Sequence, residues 1–211
     1  MSRAAAVLLL TALAACGGSP APAPRAEPAP PAGVEEAAAL FNDPQRPHAQ
    51  RVAALEALRA RQANDPSGYR RAYELVKDRL WIEASLADGL VLSGLEERAF
   101  IEAAGWLADM KDVRARFKLE LHLDRESVRR KRLPDGALAA VALGLGNYPD
   151  SESARETLWA ALKDPKEVPL VRASCLAALR SHHPMDLEER VMKIAAAPDD
   201  GWLRDLQKKL K

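Results

Sequence analysis

The apolar positions that follow residue 33 recur at the spacing of an α-helix. Leu187, Val191 and Ile194, for example, are separated by four and three residues. This spacing places apolar side chains on one face of a helix, where they are buried against other helices. The apolar–polar alternation that indicates strands is not sustained anywhere in the chain. The pattern therefore predicts an all-α fold.

Helix-forming residues and helix breakers divide this region into a series of predicted helices. These cover residues 34–41, 47–63, 67–78, 80–92, 95–110, 112–131, 135–146, 151–163, 168–181, 186–197 and 200–210. The helix over 135–146 is apolar nearly all round, so we expect it to be central and buried. The Asp-Pro pairs at 43–44, 65–66 and 164–165 indicate helix N-caps. The turn at Gly144–Asn147 indicates a C-cap with a residue in the left-handed conformation.

Two stretches of the helical region match each other without a gap, 121 residues apart. The matched polar positions are Asp43, Pro44 and Arg51 in the first stretch and Asp164, Pro165 and Arg172 in the second. A third, partial copy starts at Leu133-Pro134 and aligns with Val168-Pro169, 35 residues later. Spacings of this order are typical of stacked two-helix units.

The string Asp164-Pro165-x6-Arg172-Ala173-x2-Leu176-x-Ala178-Leu179 resembles the HEAT repeat family. The likeness is good over 134–197, fair over 43–78 and poor over 80–132, which is either degenerate repeat or an insertion. The resemblance implies an α-solenoid of stacked antiparallel helix pairs, HEAT/armadillo-like. It also implies that the Asp and Arg positions tie neighbouring repeats together.

The N-terminus has a different pattern. Arg3 precedes an apolar run from Ala4 to Ala12, which leads into Leu13-Ala14-Ala15-Cys16. A basic start, a short apolar core and small residues before a cut are typical of a secretory signal. The apolar run is shorter than the ~20 residues that span a bilayer as a helix. With Cys at the first position after the cut, the segment resembles the lipobox of bacterial lipoproteins.

The lipoprotein resemblance implies cleavage before Cys16 and lipidation of Cys16, which would anchor the chain firmly in a membrane. Gly17 is not the Asp that retains such proteins in the inner membrane, so we expect the outer membrane, facing the periplasm. The alternative is an ordinary N-terminal helix with a chance Cys. The expected organisation is a signal peptide over 1–15, the lipidated Cys and a Pro/Ala-rich disordered linker over 16–33, and the helical repeat domain over 34–211.

The overall charge bears on possible partners, and the two cysteines bear on covalent cross-links. The chain has 31 Lys and Arg against 30 Asp and Glu, so no general attraction to nucleic acid is expected. Cys175 has no intrachain partner once Cys16 is lipidated, which excludes a disulfide framework. Its apolar neighbours predict a buried packing thiol rather than a reactive one.

No motif predicts a catalytic residue, a metal ligand or a cofactor. The adjacent His182 and His183 point in different directions and favour an ordinary loop over a metal site. The paired carboxylates at 96–97, 188–189 and 199–200 favour helix starts over acid–base catalysis. The four tryptophans favour packing between helices, although one of them would also suit an exposed contact. They are Trp81, Trp106, Trp159 and Trp202.

The stretch from Lys111 to Arg132 is locally basic, with nine Lys or Arg and four acids. It favours either a solvated helix face or a docking surface for an acidic protein, a cell-wall polymer or lipid headgroups. The residues proposed for that docking surface are Arg125, Arg129, Arg130, Lys131 and Arg132.

Location and fold together predict a non-catalytic, lipid-anchored module that binds another protein of the cell envelope. Two alternatives stay open. One is a structural envelope protein that contacts cell wall or membrane through residues 111–132. The other is an enzyme on a HEAT-like fold whose pocket has no recognisable motif.

Overall fold

The computed structural model describes residues 33–124, 126–127, 130, 133–196 and 200–210. The predicted signal peptide, Cys16 and nearly all of the linker lie outside the described residues. So do Arg125, Arg129, Lys131 and Arg132 of the proposed basic surface.

The described part of the chain contains ten α-helices, two 3-10 turns and no strand, which confirms the all-α prediction. The helices are α1 (Val34–Asn42), α2 (His48–Arg59), α3 (Pro66–Glu83), α4 (Gly94–Asp109), α5 (Val113–Leu123), α6 (Asp135–Leu145), α7 (Glu152–Lys163), α8 (Pro169–Ser181), α9 (Leu187–Met192) and α10 (Gly201–Lys209). The 3-10 turns are Ala60–Ala63 and Leu86–Asp88. None of the helices in these described ranges combines the length and apolarity needed to cross a membrane.

Helix α3 is continuous where the sequence predicted two helices, over 67–78 and 80–92. Its buried stripe includes Val76 and Leu80, so the apolar face runs on through the predicted break. Arg79 bridges to Glu83, one turn later, at 2.9 Å. The prediction of a separate helix over 80–92 was therefore wrong. Residues 80–83 belong to α3, and the 3-10 turn at Leu86–Asp88 is the only helical turn between α3 and α4 in this described segment.

Two other helices end earlier than predicted. α5 stops at Leu123, where the side chain of Asp124 accepts a hydrogen bond from the amide of Glu126 at 3.1 Å. α9 stops at Met192 rather than 197. The carbonyls of Val191 and Ile194, which a longer helix would use, accept hydrogen bonds from the Gln207 side chain at 2.9 Å.

The Asp-Pro pairs do not all serve as N-caps. Asp65 does, since its side chain accepts a hydrogen bond from the amide of Gly68 at 2.8 Å at the start of α3. The prediction was wrong for Asp43 and Asp164, which lie at the C-caps of α1 and α7. Each of these two accepts the amide of the residue two positions later, at 2.9 Å, and so closes the turn between paired helices.

The predicted left-handed C-cap after α6 was also wrong. Gly146 is right-handed, with φ of −60°. Glycine is needed there for space instead, because a Cβ would lie 3.1 Å from the Cα of Ala178 on α8 and 3.0 Å from the carbonyl oxygen of Leu143. The end of α6 therefore lies so close to α8 that a side chain at this position would require the neighbouring backbone to move by a few tenths of an ångström.

The helices pack in pairs, α1 with α2, α3 with α4, α5 with α6 and α7 with α8. The even-numbered members also pack in succession, from α2 to α4, α6 and α8, while α1 contacts α3 and α5 contacts α7. As expected, α6 is central, because it contacts α4, α5, α7 and α8 and buries most of its residues.

The core has two apolar clusters that meet at α4. One lies among α1 to α4, with Ala115 of α5, and includes Trp106; the other extends from Ala87, before α4, to Leu203 on α10. Cys175 is buried in the second cluster, as predicted, and this burial raises the pKa of its thiol. A raised pKa leaves the thiol protonated and unreactive at neutral pH.

Candidate interaction surface on helices α5 and α7

The repeat positions predicted from the sequence hold adjacent helices together, through different partners. Arg172 on α8 is fully buried, forms an ion pair with Asp200 before α10 and donates hydrogen bonds to the carbonyls of Leu162 at 2.9 Å and Ala195 at 3.1 Å. It thereby connects α8 with the end of α7 and with the segment between α9 and α10.

Arg51, the equivalent of Arg172 in the first stretch, bridges to the buried Glu83 of α3 at 3.2 Å. Glu83 also contacts Arg79 at 2.9 Å and His48 at 3.5 Å. Both arginines therefore pair with a buried carboxylate that lies in a later part of the chain, 32 residues on for Arg51 and 28 for Arg172.

Most of the described cations of the basic stretch form ion pairs within the chain. Arg114 pairs with Asp112 at 3.1 Å, and Lys118 reaches Asp88 at 3.0 Å. Arg130 forms an ion pair with the buried Glu167 and donates to the carbonyl of Leu123 at 2.8 Å. These contacts attach α5 and the segment after it to neighbouring elements, which leaves these cations with structural roles.

The start of α5 is held by Asp112, the N-cap, whose side chain accepts a hydrogen bond from the amide of Arg114 at 2.9 Å. Burial alone would raise the pKa of Asp112, but the hydrogen bonds from Arg114 outweigh it and hold this pKa below its usual value. Tyr148 donates a further hydrogen bond to the carbonyl of Asp112 at 2.8 Å. The orientation of α5 is therefore set at its first turn.

An exposed apolar stripe lies on the outer face of α5. Val113, Phe117 and Leu121 are 61%, 54% and 45% exposed. Their spacing of four residues places them on one face of the helix, which we call the α5 stripe. Sequence reasoning missed it because the stretch was interpreted by its charge, although the same spacing in the sequence carried the signal.

A groove of about 520 Å³ lies between α5 and α7 beside the α5 stripe. We call it the α5–α7 groove. Phe117, Leu121 and Leu123 line it from α5, while Thr157, Ala160 and Ala161 line it from α7. Its volume is within the range of protein ligand sites, and large apolar side chains face small ones across it.

The polar lining of the groove is mostly acidic. Glu120, Asp124, Asp164 and Glu167 contribute carboxylates, and Arg130 neutralises Glu167. Glu120 accepts a hydrogen bond from Ser153 of α7 at 2.8 Å, which connects the two walls. The described lining thus combines apolar walls with four carboxylates, of which Glu167 pairs with Arg130 and Glu120 lies 3.7 Å from the guanidinium of Arg116.

The other predicted features lie away from this groove. Glu96 and Glu97 are in the first turn of α4, and Glu188 and Glu189 are in the first turn of α9, as their helix-start interpretation predicted. Among the described residues no group of three or more His, Cys, Asp or Glu side chains is placed to hold a metal ion.

The tryptophans contribute to packing, in agreement with the sequence prediction. Trp106 and Trp159 are buried, whereas Trp81 and Trp202 are half-buried. The guanidinium of Arg190 lies 3.9 Å from the ring centre of Trp159, and that of Arg114 lies 4.8 Å from the ring centre of Trp81. Such cation–π contacts attach charged surface residues to the helix packing.

His182 is buried at the end of α8, and its Nε2 lies 3.1 Å from the carbonyl oxygen of Leu145. Since a carbonyl only accepts, this contact assigns the proton of the neutral ring to Nε2. Burial lowers the pKa of His182, and the hydrogen bond to Leu145 opposes the effect only partly. The adjacent His183 is exposed in the loop to α9.

Because of His182, we expect the free energy of unfolding to fall as the pH drops below about 6.5. The unfolded chain takes up a proton on this ring near the ordinary pKa of about 6.5, and the folded chain does so only at lower pH. The contribution of His182 to the free energy of unfolding is therefore complete above about pH 6.5 and is lost as the pH falls below that value. Urea unfolding at a series of pH values on either side of 6.5 measures the change.

The variant His182→Gln keeps a donor towards Leu145 but does not titrate. We expect it to show a weaker pH dependence than the wild type, whereas the matched control His183→Gln should leave the pH dependence unchanged. Equal pH dependence in both variants would contradict the assignment to His182.

Comparisons of the chain with protein-family models, with curated proteins and with solved structures found no match.

Proposed function

We propose that this protein is a lipid-anchored, non-catalytic helical-repeat module that binds another protein of the cell envelope. In this proposal Cys16 carries the acyl anchor and residues 17–33 form the spacer. The helical domain then presents its binding surface in the periplasm, from the outer membrane. Support for the anchor comes from the order of residues before Cys16, and support for binding comes from the α5 stripe.

An α-solenoid of the HEAT/armadillo type is part of this proposal. The pairwise packing of the helices and the succession from α2 to α8 support it, as do the equivalent contacts of Arg51 and Arg172. Stacks of this kind present long continuous surfaces, which suit the binding of other macromolecules.

The α5 stripe is the observation that carries the binding proposal. Its three large apolar side chains are each close to half exposed or more, and two of them, Phe117 and Leu121, line the α5–α7 groove. Contiguous exposed apolar surface with a polar rim is typical of a protein interaction site. Arg114, Arg116, Lys118 and Arg130 nearby pair with acids of their own chain, so the apolar surface is the better candidate for contact with a partner.

The variant Phe117→Ser is expected to abolish capture of the partner. Tagged full-length protein would be cross-linked in envelope preparations, and captured proteins would be identified by mass spectrometry. Leu170→Ser on α8 is the matched control. Leu170 is also 54% exposed, but α8 belongs to the succession of even-numbered helices, whereas α5 packs with α7 on the other side of the stack. Both substitutions remove side chains that are about half buried, so each should lower the free energy of unfolding by a similar amount, about 1 kcal/mol.

One protein that is captured by the wild type and Leu170→Ser, but not by Phe117→Ser, would support the proposal. Equal capture by all three forms would exclude the α5 stripe, and capture of nothing by any form would exclude the interaction module. In the same preparations, Cys16→Ala should lose the acyl modification. Retention of that modification would contradict the anchor.

A further inference from the structure

A depression of about 290 Å³ lies where the ends of α7 and α9 meet, and it shares no described lining residue with the α5–α7 groove. We call it the α7–α9 depression. Three of its five described lining residues are cations: Lys163 ends α7, and Arg190 and Lys193 lie at the end of α9. Ile194 and Ala195 line the rest, and no described carboxylate lines it. Three positive side chains from two helices therefore border one small open space.

The ring of Trp159 on α7 holds two of these cations in place. The guanidinium of Arg190 lies 3.9 Å from the ring centre, and Nζ of Lys163 lies 5.8 Å from it. Trp159 is buried, so the ring is a fixed support. A cation–π contact orients the cation but leaves most of its N–H donors for a ligand. Both cations are therefore positioned before any ligand binds.

The carboxylates that pair with these cations lie on α9 itself and are more than half exposed. Arg190 lies 3.6 Å from Asp186, and Lys193 lies 2.5 Å from Glu189, one helical turn away in each case. Exposed pairs of this kind contribute little to stability, so a stronger ligand exchanges with them readily. Lys163 has no carboxylate within ion-pair distance among the described residues. With both pairs counted, the cluster keeps one net positive charge.

The ends of the two helices explain only part of this arrangement. The unpaired carbonyls at a helix C-terminus favour a nearby cation, and one cation at each end would meet that need. Here three cations border the same space. The carbonyl of Ala195, which also lines it, already accepts a hydrogen bond from Arg172 at 3.1 Å. The described donors of the depression therefore exceed what the helix ends require.

This set of donors fits a phosphate monoester better than a carboxylate. A phosphate monoester carries a charge of about −1.5 to −2 and three acceptor oxygens at neutral pH, whereas a carboxylate carries one charge and two oxygens. The planar fork of Arg190 matches two phosphate oxygens, and the lysines contribute point charges beside it.

We propose that the α7–α9 depression binds a phosphate monoester group. Arg190 donates to two of its oxygens, and Lys163 and Lys193 neutralise the remaining charge. The site is separate from the α5 stripe, so this inference goes beyond the proposed function and does not depend on it. Soluble phosphate esters and lipid headgroups both carry such a group.

Titration of the full chain that carries Cys16→Ala tests the proposal, with glycerol phosphate and acetate compared at equal ionic strength by NMR. We expect saturable shifts of the resonances of residues 159–163 and 190–195. The dissociation constant for glycerol phosphate should be lower than that for acetate by about tenfold or more.

The variants assign the binding to the depression. Arg190→Lys keeps the charge but removes the fork, so it should weaken binding by about three- to tenfold. The double variant Lys163→Gln/Arg190→Gln should abolish it. Lys77→Gln is the matched control and should bind like the wild type, because Lys77 is also an exposed lysine paired within its own helix, with Glu74 at 2.8 Å. Urea unfolding checks that every form is folded.

Vesicles distinguish the two sources of the group. Sedimentation with phosphatidylcholine vesicles that contain phosphatidic acid, lost in the double variant and absent without phosphatidic acid, would assign the site to a lipid headgroup. Binding of glycerol phosphate without such sedimentation would assign it to a soluble ester.

Acetate that binds as tightly as glycerol phosphate would overturn the proposal, because the cations would then be only a diffuse positive surface. Unchanged binding by the double variant, or an equal loss with Lys77→Gln, would overturn it as well. Because Phe117 is not part of this site, envelope capture through the α5 stripe tests the proposed function separately.

Discussion

Replacement of Arg172 by Met is expected to lower the free energy of unfolding by about 3–5 kcal/mol, because it leaves the carboxylate of Asp200 buried without its cation. Both residues are fully buried, and the guanidinium also satisfies the carbonyls of Leu162 and Ala195. The loss should appear in urea or guanidinium unfolding of the full chain.

The double variant Arg172→Met/Asp200→Leu should recover much of this loss, because it removes both charges together. Arg180→Met is the matched control, since Arg180 lies on the same helix with an exposed side chain and should change stability by about 0.5 kcal/mol at most. A double variant no more stable than Arg172→Met would show that the carbonyl contacts, rather than the ion pair, dominate.

Replacement of Trp106 by Ala is expected to destabilise the chain by about 3–5 kcal/mol. Trp106 is fully buried on α4, with its ring stacked on Tyr69 at 4.9 Å between ring centres and Tyr73 lying 6.3 Å away. The substitution leaves a cavity among α3 and α4, and the first core cluster loses its largest side chain. Thermal and chemical unfolding both measure the change.

Two variants show whether packing is the cause. In the described residues no acceptor lies within hydrogen-bond distance of Nε1 of Trp106, so Trp106→Phe removes an unsatisfied N–H and should cost clearly less than Trp106→Ala. Trp202→Ala, at a half-buried position on α10, should also cost less. Equal losses for Trp106→Phe and Trp106→Ala would point to a polar role for the indole.

The repeat match predicted related positions but not their partners. Arg51 and Arg172 correspond in sequence, and each pairs with a buried carboxylate. The partners, Glu83 and Asp200, belong to segments that the match did not include. Local sequence comparison carries no information about which distant carboxylate folds against a given arginine, because that pairing arises from the stacking of helices.

The candidate interaction surface was likewise not predictable from the sequence alone. Nine cations drew attention to residues 111–132, yet Arg114, Lys118 and Arg130 pair with acids of their own chain. Those acids lie 2, 30 and 37 residues away, so two of the three pairs depend on the fold. In its described part, the stretch also exposes the apolar residues Val113, Phe117 and Leu121.

The sequence by itself determined that this chain folds into helices, where most of them lie and which faces they bury, because those properties follow from local propensity and from a spacing of three and four residues. Only the tertiary structure decided that α3 is continuous, that Gly146 serves close packing and that α5 and α7 enclose a groove. Each of these depends on contacts between segments distant in the chain, and the energy of such contacts is set by packing rather than by neighbours in sequence.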